Sequence, residues 1–104
     1  MVKHIVMWKM KKTSNTAVKF GNALEIKRRL ERLTSTIIEI KKLEVGMNFS
    51  LSDKAYDIAL YTEFDSKNDL EHYKKHPEHV KVKNFIDNII EDHAVIDYEI
   101  DVNK

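Results

Sequence analysis

The segment from Val2 to Met10 constrains the fold more than any other part of the chain, because its large side chains alternate on both faces of an extended backbone. A spacing of two places one set on one face and the other set opposite, namely His4, Val6, Trp8 and Met10 against Lys3, Ile5, Met7 and Lys9. A strand with apolar side chains on both faces needs a cover on each side. The fold must therefore supply two covers for one sheet.

Three further strands and a long helix follow from the spacing of apolar residues. Alternation predicts strands over Lys42–Asn48, Tyr56–Phe64 and His93–Ile100. Between the first two strands, apolar residues recur at three- and four-residue spacing and predict an amphipathic helix with one buried stripe. That stripe comprises Phe20, Ala23, Ile26 or Lys27, Leu30, Leu33 and Ile37.

A second helix is predicted after the third strand. Ser66 with Asp69 three residues later is typical of a capping box at a helix start, and Leu70 and Tyr73 then point inward. Pro77, the only proline, is expected to break or restart this helix, because proline lacks the donor that an interior turn needs but suits a first turn.

The order strand, helix, strand, strand, helix, strand predicts a ferredoxin-like βαββαβ subunit of the α+β class with a four-stranded antiparallel sheet. At 104 residues the chain has no room for a second hydrophobic core, so residues 1–104 form a single domain. Both helices cover one sheet face and leave the other bare. We expect a second copy of the chain to cover it, giving a homodimer through the open sheet face.

The composition argues against nucleic acid and nucleotide partners. Eighteen Lys and Arg against seventeen Asp and Glu leave a formal net charge of +1, which creates no overall attraction for a polyanion. The two glycines, Gly21 and Gly46, cannot form a glycine-rich phosphate loop. The basic run on the first helix is interpreted as a solvated face with local ion pairs. It comprises Lys27, Arg28, Arg29 and Arg32.

The absence of cysteine excludes disulfides, thiolate catalysis and cysteine-based metal sites, and is compatible with a reducing compartment. No stretch approaches the roughly 20 apolar residues of a membrane span. We therefore predict a cytoplasmic protein with no membrane partner.

Five segments, in this order and spacing, resemble the stress-responsive A/B barrel (Dabb) family over nearly the whole chain. They are Val2–Lys9, Leu43–Phe49, Tyr56–Phe64, His76–His79 and Asp97–Ile100. The resemblance implies ferredoxin-like subunits whose sheets pack face to face as a dimeric α+β barrel, in agreement with the strand patterns. It implies little about chemistry, since members are similar mainly in fold and are associated with stress responses.

A plant polyketide cyclase that shares this fold is the enzymatic precedent. The resemblance implies a catalytic pair made of a first-strand histidine and the second histidine of a His-Pro-x-His segment, assisted by a preceding tyrosine. Those positions match His4, His79 and Tyr73. The strand order brings His4 and Tyr73 to one end of the sheet, but whether His79 reaches them depends on the direction of the chain at Pro77.

The histidines admit alternative interpretations. The unperturbed pKa of a histidine lies near neutrality and suits it to move protons, but His79 could equally pack or face water at a helix start. His76 is interpreted as a helix-ending residue. His72 is expected to face solvent, and His93 starts the fourth strand at the end of the sheet opposite His4, so neither belongs to the predicted site. His76 and His79 lack a third metal ligand at recognisable spacing, so no metal or other cofactor is predicted.

Two functions remain open. The first is a homodimeric barrel that binds a small apolar or aromatic molecule or serves as an assembly module. The second is a cofactor-independent enzyme, similar to a polyketide cyclase or other lyase, or to the small monooxygenases of the same barrel type. Trp8 and Met10 lie on the face of His4 and are large enough to fill a pocket. The existence of a cavity is therefore the observation that matters most.

Overall fold

A computed structural model describes residues 1–13 and 15–101. A short 3₁₀ turn, Arg32–Ser35, follows the first helix. The other elements are β1 (Val2–Met10), α1 (Thr16–Glu31), β2 (Lys42–Met47), β3 (Ile58–Phe64), α2 (Lys67–Lys75), α3 (Pro77–Asp87) and β4 (Ile90–Glu99). None of the helices described is long and apolar enough to cross a membrane.

The sheet has the strand order β2-β3-β1-β4, and every neighbouring pair is antiparallel. This arrangement confirms the predicted α+β, ferredoxin-like architecture, with the second helix divided into α2 and α3. β1 lies in the interior and pairs with both β3 and β4, so that Val6 stands opposite Leu60 on one side and Val95 on the other. The strand with apolar side chains on both faces thus occupies an interior position.

The core lies between the helices and one face of the sheet. From β1 it takes Val2, Val6, Trp8 and Met10, and from β3 it takes Ile58, Leu60 and Phe64. The first helix and the turn after it contribute Ala23, Ile26, Leu30, Leu33 and Ile37. Ile26 rather than Lys27 therefore occupies the inward position at that turn.

Phe20 departs from the predicted stripe. Its side chain is 59% exposed and lies in an open groove beside Met10 and Met47, at the end of the sheet. The first turns of α1 begin at Asn15, whose Oδ1 accepts the Val18 amide at 3.1 Å. Helical periodicity identifies the side of α1 that faces the sheet. It does not show that the sheet ends before it reaches Phe20, which is why Phe20 stays exposed.

Two residues of the basic run form the expected local ion pairs on α1. Arg28 and Arg29 both contact the carboxylate of Glu25. Arg29 does more than this, because its guanidinium stacks 3.7 Å from the ring centre of Phe85 on α3. Such a cation–π contact links α1 to α3 and distinguishes Arg29 from its exposed neighbours.

The other face of the sheet carries no helix and is apolar at its centre. The register places Tyr61, Ile5 and Ile96 in one row across β3, β1 and β4, and Ala59, Met7 and Ala94 in the next. In the single chain Ile96 is 58% and Met7 38% exposed. A contiguous exposed apolar surface of this kind is typical of a protein interface.

Candidate active site

The junction between α2 and α3 determines where His79 lies. Ser66 caps α2 by accepting the Asp69 amide at 3.1 Å, as the capping pattern predicts. His76 ends α2 in an extended conformation, and its Nδ1 accepts the Glu78 amide at 3.1 Å, so it also caps α3. Pro77 then occupies the first position of α3. The chain restarts at once, which puts His79 in the first turn of the new helix.

His79 points back toward α2. Its ring centre lies 4.4 Å from that of Tyr73, and its Nδ1 lies 3.1 Å from the carbonyl oxygen of Lys74. The His4 ring also approaches Tyr73 edge-on, with a centroid distance of 5.9 Å. The structure therefore brings His4, Tyr73 and His79 into one cluster.

These three side chains line a small cavity between the sheet and α3. Its volume is about 40 Å³. A water molecule needs at least about 10–15 Å³ on this measure, so there is room for roughly three to four water-sized groups. The remaining lining is largely apolar and comprises Val6, Trp8, Leu30, Leu60, Val82, Lys83, Ile86 and Asp87. Met10 lies outside it, in the separate groove beside Phe20.

Asp97 orients His4. The register of β1 and β4 places Asp97 directly opposite His4, and its Oδ1 accepts a hydrogen bond from His4 Nδ1. The Nζ of Lys74 lies 3.2 Å from the other carboxylate oxygen. Sequence analysis did not select Asp97 as a site residue. The alternation of β4 places Asp97 on the same face as Val95, and this was the one indication in the sequence. The pairing of Asp97 with His4 also requires the strand register, which a single sequence does not give.

The hydrogen bonds assign the tautomer of both imidazoles. A carbonyl oxygen only accepts, so His79 Nδ1 carries the proton and donates it to Lys74. The carboxylate of Asp97 likewise accepts from His4 Nδ1. The Nε2 of each neutral ring is then a lone-pair acceptor, and neither Nε2 has a hydrogen-bond partner among the described residues. Two potential bases therefore lie beside one phenol.

The Tyr73 hydroxyl is buried and has no hydrogen-bond partner within residues 1–13 and 15–101. Buried polar groups are paired in the great majority of cases, because an unpaired one loses its contacts with water without replacement. Burial also raises the pKa of Tyr73 above its ordinary value of 10.0, which keeps the hydroxyl protonated. The hydroxyl is therefore a donor whose proton no described residue accepts.

Burial also keeps the two histidines neutral near pH 7. It lowers the pKa of His4 below 6.5, although the Asp97 carboxylate acts in the opposite direction. It lowers the pKa of His79 as well, opposed by the hydrogen bond to Lys74 and assisted by the positive charge of Lys83. Partial burial raises the pKa of Asp97, but the contacts with His4 and Lys74 outweigh it and hold the net pKa below its ordinary value.

The other histidines lie apart from this cluster. His72 is exposed and lies 3.8 Å from a carboxylate oxygen of Glu39. His93 is exposed on β4, opposite Trp8 and at a distance from His4 along the strand. Within the described part of the chain, no three His, Asp or Glu side chains are arranged to hold a metal ion.

The profile of the Stress responsive A/B Barrel Domain family (Dabb) matches residues 2–100. The chain belongs to this family. The match covers the elements that carry the cluster, from β1 with His4 to β4 with Asp97. No curated protein matches the chain.

Solved structures of similar fold include proteins described as dimeric and a hydroxynitrile lyase. A dimeric protein of unknown function from Bacteroides fragilis is 36% identical, with 95% of each chain covered and a TM-score of 0.87. A dimeric ferredoxin-like protein from Thermobifida fusca is 20% identical over 95% of this Dabb chain and 90% of its own, with a TM-score of 0.81. A hydroxynitrile lyase from Passiflora edulis is 18% identical over 97% and 94%, also with a TM-score of 0.81.

Proposed function

We propose that this Dabb protein is a cytoplasmic homodimer in which each subunit binds a small molecule in the His4–Tyr73–His79 cavity. The observation that carries the proposal is the buried Tyr73 hydroxyl without a partner. A ligand oxygen or nitrogen that accepts its proton would replace the missing hydrogen bond. The apolar walls of the cavity would cover the rest of the ligand, as in most small-molecule sites.

The proposed dimer leaves this cavity intact. Two sheets packed through their open faces would bury the rows around Ile5 and Met7, whereas His4 and Trp8 lie on the opposite face of β1. The relatives described as dimeric, one of them 36% identical, support self-association. Each subunit would thus carry a complete site.

A second candidate function, cofactor-independent proton transfer, is favoured by the orientation of the two histidines. His79 Nε2 would accept a proton from a hydroxyl group or an activated C–H of the ligand. Its Nδ1–H bond to the Lys74 carbonyl would hold the resulting imidazolium. Tyr73 would donate to the negative charge that develops on the ligand. His4, held by Asp97, would be a second base in the same cavity.

One experiment tests both proposals. Small neutral alcohols, aldehydes and amides are added to the protein while the imidazole signals of His4 and His79 are followed by NMR, and each mixture is also assayed for conversion. Binding is expected to shift these signals in the natural protein and to weaken at least tenfold in Tyr73→Phe. Tyr61→Phe, on the opposite sheet face, is the matched control and should bind normally.

The same ligands separate binding from catalysis in His79→Ala. Loss of turnover with binding retained would support the enzyme, whereas binding without turnover in both proteins would support a carrier or sensor. If no compound shifts the His4 and His79 signals, the proposal of a small-molecule site is wrong.

A further inference from the structure

We infer that Trp8 sets the size of the ligand and restricts the site to neutral compounds of about four non-hydrogen atoms or fewer. This inference rests on the proposed function and deepens it. The sequence predicted an apolar or aromatic ligand, and only ligands small enough for the cavity remain candidates.

The position of Trp8 makes it the wall that limits the cavity. It lies on the His4 face of β1, four residues along the strand, and is 7% exposed. Leu30 of α1 and Ile86 of α3 also line the space, so the indole fills volume between sheet and helices that smaller strand residues would leave open. Val6, between His4 and Trp8 on this face, is much smaller than an indole.

The volume excludes an aromatic ring. An engineered apolar cavity that binds benzene measures about 150 Å³ in another protein. The cavity here, at about 40 Å³, is several times smaller. Because Trp8 faces the helices and the proposed dimer uses the opposite sheet face, pairing of two chains would not enlarge it.

The polar groups define the rest of the ligand class. Tyr73 offers a donor, and the Nε2 atoms of His4 and His79 offer acceptors, so the ligand needs one acceptor and one donor. Both histidines are neutral near pH 7, since burial lowers their pKa values. At the rim, Lys83 and Asp87 pair with each other at 2.9 Å and contribute no net charge. The site therefore suits a neutral polar molecule.

Acetamide and benzamide provide a matched pair of probes, because they share the amide donor and acceptor and differ only in the ring. Both are titrated into the natural protein and into Trp8→Val, with the signals of His4, Tyr73 and His79 followed by NMR. Acetamide is expected to bind the natural protein at least tenfold more tightly than benzamide. In Trp8→Val, benzamide affinity should rise at least tenfold at the same signals.

Ile37→Ala is the control for a general loosening of the core. Ile37 is 1% exposed but does not line the cavity, so this variant should not gain benzamide binding at His4, Tyr73 and His79. Trp8→Phe, which removes less volume, replaces Trp8→Val if that variant does not fold.

The outcomes separate the inference from the proposed function. Two results would show that Trp8 does not limit ligand size: benzamide binds the natural protein as tightly as acetamide, or benzamide affinity does not rise in the Trp8 variants. In both cases binding of acetamide would still support the small-molecule site. If neither amide binds the natural protein, the inference that the cavity accepts ligands of about four non-hydrogen atoms is wrong. This holds even if a Trp8 variant binds benzamide in its enlarged core. The broader ligand panel then decides whether the proposed function also fails.

Discussion

At the scale of single residues, the Tyr73 hydroxyl costs stability in the ligand-free protein and has a role only in the proposed function. A buried hydroxyl without a partner costs about 1–3 kcal/mol, and phenylalanine has nearly the same shape without this cost. Tyr73→Phe is therefore expected to leave the free energy of unfolding of the ligand-free protein unchanged, or to raise it by up to about 1–3 kcal/mol. Urea unfolding followed by circular dichroism measures this change.

Tyr61 provides the comparison for Tyr73. Its hydroxyl is partly exposed and hydrogen-bonds with Lys3 and Glu63, so Tyr61→Phe should lower the free energy of unfolding slightly, by up to about 1 kcal/mol. If Tyr73→Phe is the more destabilising of the two, the Tyr73 hydroxyl already has a hydrogen-bond partner in solution and needs no ligand to pair with it.

At the scale of secondary-structure elements, α1 shows how one helix separates a packing face from a solvated face. Leu30 is 2% exposed in the core, whereas the Arg28 side chain is 62% exposed and pairs only with Glu25 on its own helix. Leu30→Ala is expected to lower the free energy of unfolding by about 2–5 kcal/mol, and Arg28→Ala to change it by no more than about 0.5 kcal/mol. Denaturant unfolding tests both.

Arg29→Ala should fall between these two variants, because it removes the stacking on Phe85 as well as the ion pair. If Leu30→Ala were as mild as Arg28→Ala, the assignment of the buried face of α1 would be wrong.

At the scale of the whole molecule, the open sheet face predicts self-association. Ile96 and Val95 are neighbours on β4 with similar exposure, 58% and 52%, but they lie on opposite faces. Ile96→Asp places a charge in the apolar surface around Ile5 and is expected to convert the proposed dimer to a monomer. Val95→Asp should leave the dimer intact. Multi-angle light scattering at micromolar concentration distinguishes the two states.

A natural protein that stays monomeric under those conditions would contradict the proposed homodimer. A dimer that survives in Ile96→Asp but dissociates in Val95→Asp would show that the contact involves the face of β4 that carries Val95, which contradicts the proposed dimer.

Stability should also depend on pH through the buried histidines. Their folded pKa values lie below the ordinary 6.5, so the unfolded chain binds more protons as the pH falls through that value. The free energy of unfolding is therefore greatest above pH 6.5 and falls toward the folded pKa values. The lowered pKa of Asp97 acts in a more acidic range, below its ordinary value of 3.8.

Urea unfolding at pH 7.5 and pH 5.5 measures this loss. His79→Gln should reduce the difference between the two conditions, whereas His93→Gln, at an exposed position on β4, should not. An unchanged difference in His79→Gln would show that His79 is not held in its neutral form by the fold.

The amino-acid sequence alone predicted the order of the strands and helices, the restart at Pro77 and most of the core. These features depend on local spacing: a period of two or of three to four residues, a capping serine, or a proline in a first turn determines the structure of its own segment. The resemblance to the Dabb family added the three residues His4, Tyr73 and His79, which periodicity does not identify.

Tertiary structure decided the rest. His4 and Asp97 are 93 residues apart along the chain, and their pairing depends on the register between β1 and β4. The exposure of Phe20 depends on where the sheet ends beneath α1, and the return of His79 toward Tyr73 depends on the direction of α3 after His76. The volume of the cavity beside Trp8 is a small difference between two large volumes, that enclosed by the sheet and helices and that occupied by the side chains. Each of these quantities is set by contacts between distant segments, so no local pattern in the sequence determines it.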